Sequence, residues 1–97
     1  MALEEMAAEK VRAIMTRDRA KDLYDLLFLV KKGIKTDMDL VNRKLSYYDL
    51  SFDHDDFIGS IESKRDIWSS ELKPIVFGDV PDFNSVKKIA GNLLSKP

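Results

Sequence analysis

The hydrophobic positions between residues 2 and 32 repeat with the period of α-helices. This pattern predicts one helix over residues 2–16 and a second over residues 18–32. Lys10 lies near the middle of the apolar stripe of the first helix, and Arg17 projects along almost the same line, since seven residues are nearly two turns. The other members of the stripe are Leu3, Met6, Ala7, Val11 and Ile14.

Lys10 allows two interpretations. In the first, its methylenes cover apolar surface while the ammonium reaches water or a carboxylate. In the second, the stripe lines a cleft, and a partly desolvated ammonium is kept there to meet an anion such as a phosphate. The pattern alone leaves both interpretations open.

The second predicted helix carries its charges on one face. Asp18 is a candidate N-cap, and Asp22 and Asp25 follow it at i+4 and i+7, beside Lys21 and Lys32. Such a face is typical of a solvated, charge-compensated helix surface. It predicts no metal site, because lysines lie among the acids and no histidine or cysteine is near.

The remaining chain predicts three more helices, over residues 37–47, 54–73 and 83–95. Gly33 is a helix stop, Thr36 is a candidate N-cap, and either Ser51 or Asp53 caps the long helix. The fold class expected is therefore all-α, a compact bundle of about five helices in a single domain of residues 1–97.

Composition narrows the class of protein. A hydrophobic content of 44% with 34% charged residues fits a soluble globular domain. The net charge of -1 argues against a strong nucleic-acid binder in isolation. There is no cysteine, no apolar run long enough to span a membrane and no signal-type segment after Met1. We therefore expect a cytoplasmic protein without a membrane partner.

Several short patterns resemble catalytic motifs only in their letters. Asp37 and Asp39, like Asp53 and Asp55, match a paired-acid magnesium motif, but each pair lies at a predicted helix start rather than in a strand. His54 is the only histidine, which excludes sites that need several imidazoles. None of these residues is a candidate for catalysis.

The spacing of the charged residues carries a family resemblance. The order Lys10, six residues, Arg17, three residues, Lys21-Asp22, two residues, Asp25 resembles a motif of the AbiEii/AbiGii nucleotidyltransferase toxin family. The later segments WSSEL and PDFNSVKKIAGNLL are similar to the Trp-containing helix and the closing helix of those proteins. One departure is Lys21, where the family usually has arginine. Lysine keeps the charge but loses the planar fork that makes bidentate contacts.

The resemblance implies an activity for a complete enzyme. Family members resemble polymerase-beta-like nucleotidyltransferases, in which an N-terminal sheet carries a Gly-Ser phosphate loop and an acid pair for magnesium. We expect this chain to be the C-terminal helical portion, with that N-terminal catalytic domain absent and no activity of its own. The complete toxin would use magnesium to transfer a nucleotidyl group from an NTP to an RNA or protein acceptor.

The resemblance also implies roles for the motif residues, which comprise Lys10, Arg17, Lys21, Asp22 and Asp25. Lys10 would be catalytic and would bind the nucleotide phosphates, with Arg17 and Lys21 as further nucleotide-binding residues. Asp25 would be catalytic, acting on the acceptor or orienting Lys10. Asp22 would be structural, holding the two helices together. No residue of the chain is expected to ligate a metal, and Mg and NTP belong to the complete enzyme only.

The partners implied are an antitoxin or the missing N-terminal catalytic half, with tRNA reached through the complete enzyme. An alternative is a stand-alone, non-enzymatic helical interaction module. Such a module would bind an antitoxin, a separate catalytic half, or itself as a homo-oligomer.

Overall fold

The part of the chain that the structure describes contains six helices. The computed structural model describes residues 2–76 and 78–93. Within these two ranges there is no strand, so the all-α prediction is confirmed. None of the described helices has the length and hydropathy of a membrane-spanning segment. The helices are α1 (Leu3–Thr16), α2 (Ala20–Lys31), α3 (Met38–Ser46), α4 (His54–Glu62), α5 (Trp68–Leu72) and α6 (Phe83–Leu93).

Helix α1 lies at the centre of the packing. It contacts α2, α3 and α4, while α2 also packs against α5 and α6, and α4 against α6. Removing apolar side chains from water is the main force that holds such an assembly together. The largest fully buried apolar side chains come from all six helices: Val11, Ile14, Leu23, Leu26, Val41, Leu45, Phe57, Ile61, Leu72 and Val86.

The apolar stripe of α1 is only partly covered. Val11 and Ile14, in its second half, are fully buried, as a core stripe requires. Leu3 and Met6, in its first turns, are 45% and 37% exposed. On α2 the large apolar side chain of Phe28 is 55% exposed. The described chain therefore leaves an apolar surface at the N-terminal end of α1.

The second helix starts later than its charge pattern predicts. Residue 18 was predicted to begin and cap it, but α2 begins at Ala20, and Asp18 lies in the preceding turn. The N-cap position is Arg19, which makes no side-chain capping bond. Instead, the Ala20 amide donates to the Glu71 carboxylate of α5 at 2.9 Å. A tertiary contact thus replaces the local cap.

The prediction of one long helix over residues 54–73 is wrong, because this segment forms two helices separated by a turn over residues 63–67. The backbone hydrogen bonding changes at Lys64, where the Ser63 hydroxyl also donates to the Ser60 carbonyl, at 2.6 Å. The Lys64 amide donates to Ile61 three residues back, whereas a continuing α-helix would use the carbonyl four residues back, that of Ser60. The buried Lys64 ammonium takes the Ser60 carbonyl instead, at 2.9 Å.

The other helix ends follow local chemistry. Asp37 caps α3 with its side chain, so the prediction of Thr36 as the cap is wrong. Asp53 caps α4, as one of the two predicted alternatives. Gly33 ends α2 with a φ of 83°, which glycine adopts without a steric penalty. Helix α6 is described to residue 93, and the predicted residues 94 and 95 lie outside the described part of the chain.

A pair of alanine variants on α2 tests this packing. Leu23 is fully buried, so Leu23→Ala should lower the free energy of unfolding by about 2–5 kcal/mol through lost burial and a cavity. Phe28→Ala removes a larger but half-exposed side chain of the same helix and should cost less than about 1 kcal/mol. Urea unfolding followed by circular dichroism measures both. Equal losses would contradict the placement of α2.

Candidate functional site

The turn between α1 and α2 brings the motif residues to one open groove. The groove has a volume of about 520 Å³ and runs from α1 and the start of α2 to the end of α5. Four basic and three acidic side chains line it, together with Ser70, Pro74 and Ile75. The charged residues are Lys10, Arg17, Arg19, Lys21, Asp22, Asp25 and Glu71. All five motif residues are therefore neighbours in space.

Asp22 is the buried centre of this cluster. Only 3% of the residue is exposed, so the prediction that it belongs to a solvated face is wrong. Arg17 donates to it through two nitrogens, from Nε to Oδ2 at 2.8 Å and from a terminal nitrogen to Oδ1 at 3.0 Å. The Lys10 ammonium of α1 lies 3.6 Å from Oδ1. A single carboxylate thus joins α1, the turn and α2.

Lys10 reaches across to both acids of α2. Its ammonium is 2.9 Å from Oδ2 of Asp25, besides its longer contact with Asp22, and its side chain is 25% exposed. Reaching a carboxylate is what the first interpretation of Lys10 requires. The second interpretation, in which Lys10 lines a cleft, is also met, because Lys10 lies in the wall of the groove.

Lys21 pairs within its own helix. Its ammonium donates to both oxygens of Asp25, at 3.1 and 2.9 Å, one turn away. The side chain is 60% exposed, so this contact adds little stability. The result is a chain of alternating charge, in which Asp25 lies between Lys10 and Lys21.

The pKa of Asp22 is set by opposing effects. Burial would raise the pKa of the Asp22 carboxyl, but the hydrogen bonds and charge of Arg17, with the charge of Lys10, outweigh it and hold the pKa below the usual 3.8. The same pair raises the pKa of Arg17. Both groups therefore stay ionised at neutral pH.

The two aspartates of the groove do not fit a magnesium ion. Both oxygens of Asp22 accept from Arg17, and Asp25 accepts from Lys10 and Lys21. Magnesium prefers carboxylate and water oxygens in octahedral geometry. Among the residues that the structure describes, no group of three or more acids or histidines could hold a metal ion.

The sequence did not predict a role for two side chains that contact the turn. Glu71 caps α2 from α5, and Lys64 is fully buried, with its ammonium 2.8 Å from the Ile14 carbonyl of α1. Burial lowers the pKa of the Lys64 ammonium, while the charges of Asp18 and Asp22 act in the opposite direction. A signal existed for Lys64. It lies between Ile61 and Trp68 on the apolar stripe of its segment, as Lys10 does on the first helix.

Arg19 adds positive charge without a counter-ion. It is exposed at the rim of the groove, and no ion pair or hydrogen bond of its side chain is present among residues 2–76 and 78–93. Arg17 and Lys21 flank it along the chain, both exposed. The rim thus offers guanidinium and ammonium groups that solvent or an anion can reach.

The described part of the chain is thus an all-helical domain with a cluster of cations around one buried acid. The chain belongs to the AbiEii family, since the family model described as "Nucleotidyl transferase AbiEii toxin, Type IV TA system" matches residues 1–89. The resemblance inferred from the motif is thereby confirmed. No curated protein and no solved structure matches the chain.

The Asp22 pair should make stability depend on pH. A carboxyl whose pKa is lowered by folding stabilises the fold above its unfolded pKa, and this contribution is lost as the pH falls through the folded pKa. We expect Asp22→Asn to cost about 1–3 kcal/mol near neutral pH, because Arg17 and Lys10 lose a charged acceptor. The cost should shrink as the pH falls below the unfolded pKa of about 3.9 and through the lower folded pKa, because the parent carboxyl then becomes protonated.

Chemical unfolding at several pH values measures this cost. Asp79→Asn is the matched control, since Asp79 is an exposed carboxylate outside the groove. A cost for Asp22→Asn that is the same at neutral and acidic pH would contradict the ion-pair account.

Proposed function

We propose that this chain is the helical portion of an AbiEii-type nucleotidyltransferase and that its groove binds the phosphates of an NTP. Lys10 and Arg17 would contact the phosphates, and Lys21 would add charge at the rim. The acceptor of the nucleotidyl group would be an RNA such as tRNA, or a protein hydroxyl. Family membership over residues 1–89 supports the reaction class, and the groove supports the residue assignment.

The position of Lys10 is the observation that carries this proposal. Its ammonium lies at the groove wall, held by two carboxylates at 2.9 and 3.6 Å. Such contacts fix a flexible side chain in one geometry before a ligand arrives. Preorganised cations stabilise the charge that develops during phosphoryl chemistry, because they need no reorganisation at the moment of reaction.

The proposed transfer has simple bond changes. The oxygen of the acceptor hydroxyl forms a bond to the α-phosphorus and its proton passes to solvent, while the bond from that phosphorus to the oxygen shared with the β-phosphorus breaks and pyrophosphate leaves. Most of the catalysis in such reactions is positioning and charge neutralisation. Lys10 would neutralise charge on the phosphate oxygens, and Arg17 would do so with the one guanidinium nitrogen that Asp22 leaves free. The groups that hold magnesium would lie outside the described residues.

Asp25 is better suited to orienting Lys10 than to taking a proton. Its oxygens already accept from two ammonium groups, Lys10 and Lys21. The carboxylate is thus held between two donors and is not free to turn toward an acceptor hydroxyl. In the proposed enzyme Asp25 therefore sets the position of Lys10, and Asp22 sets the position of Arg17.

Substitutions in the full-length natural protein test these roles. Lys10→Ala should lower the rate of nucleotide transfer by about 10²–10³-fold, because a preorganised cation is lost. Asp25→Ala should lower it by at least about tenfold, because Lys10 loses its closer partner. Lys31→Ala, at the exposed end of α2 and outside the groove, is the matched control and should leave the rate unchanged.

The assay follows label from each of the four ribonucleoside triphosphates, marked on the α-phosphate, into total RNA and protein of the source cells. Circular dichroism checks that each variant folds. Rates within about threefold of the parent for folded Lys10→Ala and Asp25→Ala would contradict the proposed site.

A second candidate function is that of a helical interaction module, and the uncovered apolar surface favours it. A cavity of about 370 Å³ lies between α1 and α2, lined by Leu3, Met6, Lys10, Asp25, Phe28, Leu29 and Lys32. Two of these residues, Lys10 and Asp25, also line the groove. A partner bound to the apolar surface would therefore also contact the candidate site. A separate catalytic half would have to make that contact to act together with Lys10. We accordingly take a catalytic half as the occupant.

Charge placed on this surface tests the occupant. Phe28→Glu should weaken the association of this chain with a separately produced catalytic half by about tenfold or more, because an apolar contact would be replaced by a buried charge. Lys31→Glu is the control on the same helix. Analytical ultracentrifugation of the mixed halves measures the effect. Unchanged binding, or self-association of the chain that Phe28→Glu abolishes, would contradict this occupant.

A further inference from the structure

Two residues outside the motif hold the turn between α1 and α2 at its two ends. Lys64, which follows α4, donates from its ammonium to the carbonyl of Ile14 at 2.8 Å, in the last turn of α1. Glu71, in α5, accepts from the amide of Ala20 at 2.9 Å, at the first residue of α2. Between these two anchors lie residues 17–19, which include Arg17.

The Lys64 ammonium bonds the C-terminal ends of two helices at once. Besides Ile14, it donates to the carbonyl of Ser60 in the last turn of α4, at 2.9 Å. The last carbonyls of a helix have no amide partner within it, and a cation there interacts favourably with the helix dipole. Because Lys64 has no exposed surface, its removal would leave the Ile14 carbonyl without this buried donor, whereas the Ser60 carbonyl would keep the Ser63 hydroxyl at 2.6 Å.

The middle of the turn is attached to the same segment. An Asp18 oxygen lies 3.2 Å from the Ser63 hydroxyl, whose shorter hydrogen bond goes to the Ser60 carbonyl at 2.6 Å, and 3.8 Å from the Lys64 ammonium. Asp18 is exposed, so these contacts are weaker than the buried ones. Together, residues 63 and 64 hold the end of α1 and the first half of the turn.

Glu71 holds the second half of the turn, at the first residue of α2. The first amides of a helix also lack partners, and a carboxylate there accepts a hydrogen bond and complements the positive end of the dipole. Arg19, at the N-cap position, makes no such bond. Glu71 therefore fixes where α2 begins, and with it the distance between Arg17 and Asp22.

We propose that Lys64 and Glu71 are positioning residues of the candidate site, which hold residues 17–19 so that Arg17 keeps its two-bond contact with Asp22 at the groove wall. Neither residue needs to touch the reacting atoms. The inference rests on the proposed function, since only nucleotide binding makes the position of Arg17 matter for activity. Its structural half can be measured without any substrate.

Hydrogen exchange of the Arg17 Nε–H, followed by nuclear magnetic resonance on this chain, measures that structural half. In Glu71→Ala the exchange should become at least about tenfold faster, since the turn gains freedom and the bond to Asp22 opens more often. Glu71→Gln should restore the parent rate to within about twofold, because its amide oxygen can still accept from Ala20.

Lys64→Met should accelerate the exchange in the same way. Its matched control is Lys87→Met, because Lys87 also joins two helices, through Glu62 at 2.7 Å, but does not contact the turn. If Lys64→Met does not fold, the Arg17 exchange rates of Glu71→Ala and Glu71→Gln test the positioning role. Unchanged Arg17 exchange in folded Glu71→Ala, or equal acceleration in Lys87→Met, would overturn the positioning role.

Nucleotide transfer by the full-length natural protein measures the functional half. Glu71→Ala should raise KM for the triphosphate by about tenfold with a smaller change in kcat, because a displaced guanidinium weakens phosphate binding. In an Arg17→Ala background the same substitution should have no further effect on KM, because its action passes through Arg17. Equal effects in both backgrounds would overturn the proposal, since a general loss of stability does not depend on Arg17.

The two proposals fail separately. If Arg17→Ala leaves transfer unchanged while Glu71→Ala still accelerates Arg17 exchange, the nucleotide-binding role of Arg17 is wrong and the positioning is right. If Arg17→Ala impairs transfer and Glu71→Ala changes neither exchange nor KM, only the positioning is wrong.

Discussion

A buried carboxylate that needs positive partners organises this structure. Asp22 is almost fully removed from water, and an isolated charge in that position would be strongly unfavourable. Arg17 satisfies both of its oxygens, and Lys10 adds a second charge from the neighbouring helix. Because each partner belongs to a different part of the chain, the requirement of one acid fixes α1, the turn and α2 relative to one another. The same requirement keeps two cations at the groove wall, where an anionic ligand can use them.

The helical architecture could be predicted from the sequence because its causes are local. Apolar spacing, the Asp53 cap and the glycine at residue 33 all act within a few residues. The cap of α3 was assigned one residue too early, and the other errors arose where a side chain from another helix or turn acts at a helix end. Glu71 caps α2 from fifty-one positions further along the chain, and the Lys64 side chain bonds carbonyls of two helices where α4 ends. No local pattern identifies the distant partners of Glu71 and Lys64.

The candidate site was only partly predictable for the same reason. The motif spacing identified Lys10, Arg17, Lys21, Asp22 and Asp25, and these residues do lie together. Periodicity assigned Asp22 to a solvated face, whereas packing of α5 and α1 against α2 buries it. The uncovered apolar surface beside Lys10 was also hidden, because a stripe in the sequence does not reveal which of its turns find a partner. Both features depend on tertiary packing, and both bear directly on how the groove could work.

A structure of the full-length natural protein with a non-hydrolysable NTP analogue would test the central claim most directly. If the groove binds the triphosphate as proposed, phosphate oxygens should lie at hydrogen-bond distance, about 3 Å, from the Lys10 ammonium and from the free guanidinium nitrogen of Arg17. Asp22 should keep its contacts with Arg17. An analogue bound with its phosphates away from both side chains, and with the groove occupied by water alone, would contradict the account.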